Sequence, residues 1–121
     1  MIIGLLETEE QITRLFSWLA IEQPEQRVSA LLPLTTPASY YILFQTLRHA
    51  EGDRSLVLRC CHALMRKSDD MSFNMVAILR EYFGLSELKN TLSLRIQPYE
   101  LSYIDSSYAN FEHVVMGKRP R

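Results

Sequence analysis

The chain has 121 residues, of which 47% are hydrophobic, 22% charged and 10% aromatic, and its formal net charge is −1. That length suits one domain of ordinary size, and the apolar fraction excludes a largely disordered chain. The near-neutral total excludes a whole-chain electrostatic argument for nucleic acid or an anionic membrane.

The apolar stretch Met1 to Leu6 has no Lys or Arg before it, and Glu7, Glu9 and Glu10 follow. A signal peptide needs a basic start and a longer apolar run, so none is expected here. No segment approaches the roughly 20 apolar residues that span a bilayer. The expectation is a cytoplasmic protein without membrane partners.

Thr8, Glu9, Glu10 and Gln11 match a capping box, in which hydroxyl and amide side chains satisfy the first backbone N–H groups. Ile12, Leu15, Phe16 and Leu19 then recur on one helical face, with Trp18 off its centre. Pro24 to Leu32 reads as a short second helix before Pro33. Thr36 followed by Pro37 starts a third, because proline is preorganised for the first helical position. Its stripe is Tyr40, Tyr41, Phe44 and Leu47, widened by Ile42 and Leu43, and Gly52 suits its end.

Asp53 is a ready cap for a fourth helix that carries Leu56, Val57, Cys60, Cys61, Leu64 and Met65 and ends with Arg66 and Lys67. Ser68, Asp69 and Asp70 open a fifth, with Met71, Met75, Ile78, Leu79 and Tyr82 as its face. Gly84 stops it, and Leu85 supplies the apolar contact of a Schellman ending. Helices starting near Pro37, Arg54 and Met71 are spaced 17 residues apart. That is half a tetratricopeptide period, but the Trp-Leu-Gly-Tyr pattern of that family is missing. Antiparallel packing of short helices accounts for the spacing.

After Asn90 the period changes to two. Leu92, Leu94 and Ile96 alternate with polar residues, as do Tyr99, Leu101 and Tyr103 beyond Pro98. This predicts a small β element over about 91–104 with a bend at the proline. Tyr108, Phe111, Val114 and Val115 fit either a last helix stopped by Gly117 or a third strand. Residues 118–121 form a basic tail, expected to be disordered. The fold class is therefore mainly α (α+β): one domain over 1–117, an antiparallel bundle of about five helices with a small β element near its C-terminus.

The charge is unevenly spread. Residues 1–26 carry five acids against Arg14, residues 27–67 six bases against two acids, and residues 68–121 six bases against seven acids. An acidic first helix thus precedes a basic middle, in which Arg48, Arg54, Arg59, Arg66 and Lys67 form a candidate patch for an acidic partner. A second candidate surface is the aromatic group Tyr99, Tyr103, Tyr108 and Phe111, since tyrosine is favoured at interfaces. It suggests a homodimer.

No catalytic pattern is present. His49, Ala50 and Glu51 do not make a zincin helix, there is no Gly-x-Ser-x-Gly elbow, and the four glycines build no phosphate loop. Cys60, Cys61 and His62 are contiguous, so on a helix they diverge and cannot converge on one metal. No catalytic residue, cofactor or metal is expected. The remaining enzyme alternative pairs Cys61 with the distant His49 or His113.

These features favour a non-catalytic interaction protein: a small adaptor, assembly factor or chaperone-like protein, probed by an acidic protein partner. The alternative is a DNA-binding transcriptional regulator using the basic middle helix and the C-terminal tail. Three helices followed by a strand pair have winged-helix order. The helix that would then read DNA, over residues 71–83, offers only Arg80 against Glu81, which is poor equipment for phosphate contacts.

Overall fold

A computed structural model describes residues 9–18, 20–50, 53–88, 104 and 108–117. The protein is mainly helical, with six helices and no strand among those residues. They are α1 (Glu9–Trp18), α2 (Pro24–Leu31), α3 (Pro37–His49), α4 (Arg54–Lys67), α5 (Asp70–Phe83) and α6 (Tyr108–Val115). Contacts cluster into two compact units, Met1–Val57 and Leu58–Arg121, with the boundary inside α4.

In the first unit, α3 packs against both α1 and α2. Ile12 and Phe16 of α1 are buried one turn apart, as the apolar spacing predicts. Thr8, the expected cap of α1, lies outside the described residues. The helix ends without the glycine such endings usually carry. Ala20 sits at φ 54, while the Ala20 N–H donates to Ser17 O at 3.2 Å and the Ile21 N–H to Phe16 O at 2.9 Å. These are the paired bonds of a Schellman motif, with alanine in the left-handed position.

Pro24 opens α2 as expected, and Val28 and Leu31 are its buried residues. Thr36 caps α3 reciprocally with Ser39. The Ser39 N–H donates to Thr36 Oγ1 and the Thr36 N–H to Ser39 Oγ, both at 3.2 Å. The Ser39 hydroxyl donates in turn to Thr36 O at 2.7 Å, so this buried serine is satisfied. The core stripe of α3 is Tyr40, Leu43, Phe44 and Leu47. Tyr41 is only half-buried, which corrects its placement in the predicted stripe: helical geometry puts residues 40, 43, 44 and 47 on one face. Gly52 lies outside the described residues.

Asp53 begins α4, its Oδ1 accepting the Leu56 N–H at 3.0 Å. In the second unit α5 packs against α6. Asp69 caps α5 through the Ser72 N–H at 3.2 Å. Gly84 ends α5 in the left-handed conformation (φ 62, ψ 47), the Leu85 N–H donates to Arg80 O at 2.9 Å, and Leu85 is buried. This is the ending the sequence predicts.

Residues 108–115, ambiguous by pattern, are helical, and they bury Phe111, Val114 and Val115. Asn74 of α5 ties this helix down: its Nδ2 donates to Val115 O at 2.9 Å in a buried contact 41 residues apart in sequence. One of the last carbonyls of α6, which has no partner within the helix, is thereby capped by a side chain. Gly117 follows at φ 79. The expected β element falls on residues outside the description except at its last position. Ile104 is helical there and buried, so the two-residue period does not extend through it. The basic tail over 118–121 is also outside the described residues.

Candidate functional site

The strongest candidate is the outer face of α4 in the second unit. Leu64, Cys60 and Cys61 lie on its buried side, with Leu56 and Val57 continuing that side toward its start. At about 100° per residue, Arg59, His62 and Arg66 fall within roughly 60° of one another on the opposite side. All three are exposed. The helix therefore sorts its residues into a dry face with two thiols and a wet face with two guanidiniums and an imidazole. His62 was not singled out as part of the basic patch, although its i+3 spacing from Arg59 carries the signal.

The other members of the predicted patch do not join this stripe. Lys67 is half-buried, and burial lowers its pKa from the ordinary lysine value, opposed by the nearby Asp69 carboxylate and by Cys60. One residue beyond Arg66 means a turn of about 100°, which brings Lys67 round toward the packed side. Its half-buried position sets it apart from the three exposed side chains. Arg54 is exposed at the start of α4, and Arg48 is half-buried in the last turn of α3, where its charge complements the helix dipole. Both belong to the first unit.

The aromatic candidate surface divides differently. Tyr99 and Tyr103 lie outside the described residues, and Tyr108 is half-buried at the start of α6. Phe111 is 0% exposed. It belongs to the core, because in helical geometry it shares a face with Val114 and Val115, and that face packs against α5. The reading of Phe111 as a partner-contacting residue is therefore corrected.

The thiols have the opposite of nucleophilic character. Burial is the main cause that pushes up the Cys60 pKa, with Cys61 adding to it and Lys67 opposing. Burial likewise pushes the Cys61 thiol up to about 12. A reactive cysteine needs a stabilised thiolate, which a cation or helix N-terminus supplies and an apolar core withholds. Among the described residues, no group of three or more His, Cys, Asp or Glu side chains is placed to hold a metal ion, and no helix is long and apolar enough to cross a membrane.

No protein-family description, no curated protein and no solved structure matches this chain.

Proposed function

We propose that the protein is a non-catalytic interaction protein that docks an acidic protein segment along Arg59, His62 and Arg66 of α4. The observation that carries this reading is the placement of these three exposed side chains on one face. A helix anchored by a buried apolar side offers a rigid row of two guanidiniums and an imidazole. Such a row raises the encounter rate and specificity for an acidic partner more than it raises raw affinity. The dimer expectation rested on the aromatic group, and with Phe111 in the core it adds nothing to this reading.

Fluorescence anisotropy with a polyglutamate peptide and, separately, a mixed-sequence DNA duplex tests the proposal. The expected result is salt-dependent binding of the peptide, weakened at least tenfold when Arg59→Ala and Arg66→Ala are combined. Tighter binding to the duplex, with a salt slope that falls by about 1 for each arginine removed, would transfer the face to a nucleic-acid partner. Binding to neither probe would remove both readings. Both substitutions are at exposed positions, so the variant keeps the wild-type fold, which circular dichroism checks.

A further inference from the structure

The first unit contains a cleft of about 380 Å³, lined by parts of α1, the α1–α2 connection, the start of α2 and α3. Its charged lining consists of Glu22 and Arg27, while His49, Tyr41, Gln45 and Thr13 contribute further hydrogen-bonding groups. A volume near the lower end of ligand pockets fits a small molecule.

Arg27 is held in place before any ligand arrives. Its Nε donates to Ile21 O at 3.0 Å, and its guanidinium carbon lies 5.5 Å from the centroid of the Phe16 ring. The ring is buried, so the cation stacks on a fixed surface. The two terminal amines make no hydrogen bond or ion pair among the described residues. A long side chain has thus already given up its rotamer freedom, while its forked end bonds no described residue. That end donates two parallel bonds, the geometry that matches the two oxygens of a carboxylate.

Glu22 directly follows Ile21, the residue that clamps Arg27, and lines the same cleft. It is exposed, and the Glu22 and Arg27 side chains do not pair with each other. The cleft therefore carries one anchored cation, Arg27, and one exposed carboxylate, Glu22, on the same lining. Glu22 and Arg27 contribute opposite unit charges to the lining, which cancel. A dianionic phosphate would gain at Arg27 and lose at Glu22, whereas a small zwitterion gains at both.

We propose that this cleft binds a small zwitterion of the amino-acid class, its carboxylate on the terminal amines of Arg27 and its ammonium group on Glu22. The proposal is independent of the α4 face, which lies in the other unit.

The test is an amide NMR titration of the full chain with each of the standard L-amino acids, and with acetate, ethylamine and inorganic phosphate as separate probes. The expected result is that at least one amino acid gives saturable shifts confined to the cleft, with a dissociation constant on the order of 1 mM or tighter. Acetate, ethylamine and phosphate each bind at least tenfold more weakly. Arg27→Lys keeps the charge but loses the clamp and the fork, and weakens the amino acid at least tenfold. Glu22→Gln, at an exposed position that leaves packing intact, removes the preference for the amino acid over acetate. Saturable shifts with no amino acid, phosphate binding as tight as the best amino acid, or an unchanged preference in Glu22→Gln would each overturn the proposal.

Discussion

Asn74→Asp replaces one side-chain nitrogen by oxygen at the point where α5 holds α6. In the wild type, Nδ2 donates to Val115 O at 2.9 Å, and the side chain is 4% exposed. The buried Oδ1 has no partner among the described residues. An ionised aspartate here would present only acceptors to a carbonyl, and its charge would have no partner among the described residues. Breaking a buried polar pair in that way costs about 3–5 kcal/mol. The alternative is for the aspartic acid to stay protonated and donate its own hydroxyl to Val115 O. Keeping it neutral at pH 7 against an ordinary value of about 3.9 costs about 4 kcal/mol, at about 1.4 kcal/mol per unit.

Either route destabilises the variant by about 3–4 kcal/mol at pH 7, out of a total stability of about 5–15 kcal/mol for an ordinary domain. The pH dependence separates this cause from simple misfit. Burial raises the folded-state pKa above the unfolded value, so the penalty is absent below about pH 4 and grows as pH rises toward the folded-state value. Urea unfolding followed by far-ultraviolet circular dichroism, with wild type and variant compared at pH 4 and pH 7, measures it. Comparison at equal pH cancels the titration of every other group. Asn74→Ala, which deletes the bond and the orphaned oxygen together and leaves Val115 O without this donor, costs about 1–3 kcal/mol and shows no such pH dependence. A loss under 0.5 kcal/mol for Asn74→Asp at pH 7, about the size of a surface substitution, would refute the reasoning. So would a loss equal at both pH values.

Ala20→Gly relieves the left-handed alanine that ends α1 and stabilises the protein by up to about 1 kcal/mol, the left-handed penalty less the extra chain entropy of glycine. Thermal or urea unfolding reads this gain, and a loss would show that the Cβ of Ala20 packs usefully. The two thiols resist iodoacetamide at pH 8 in the native state and react quickly in urea, as mass spectrometry records, because burial suppresses the thiolate. The folded pKa of Cys61, at about 12, lies above its ordinary value. Its contribution to stability is therefore fully present at neutral pH and is lost as pH rises from about 9 toward 12. Wild-type stability that falls no more steeply between about pH 8 and pH 11 than that of Cys61→Ser would contradict this assignment.

Local chemistry made most helix boundaries legible. Asp53 and Asp69 cap the helices that follow them, Thr36 and Pro37 open α3, and Gly84 with Leu85 closes α5. Each of these signals acts within three to six residues, so the chain carries it before any tertiary contact forms. The apolar spacing likewise named most of the residues that α4 and α5 bury. Two local features escaped this reading. The partner of Thr36 is a serine where a capping box usually has Glu or Gln, and the left-handed end of α1 is occupied by alanine.

The candidate sites depended on more than spacing. Phe111 and Tyr108 look equally suited to an interface by composition, and only the packing of α6 on α5 buries the first and leaves the second half-exposed. Arg66 and Lys67 are adjacent cations, yet burial separates them into an exposed charge and a desolvated one. Arg27, which no sequence pattern marked, acquired its fixed orientation from Ile21 and Phe16. Residue types and helix ends are thus written in the sequence by itself. Which side chain meets water, a ring or a carbonyl from a distant segment is decided by tertiary structure, because burial and the dielectric around a charge are properties of the packed neighbours.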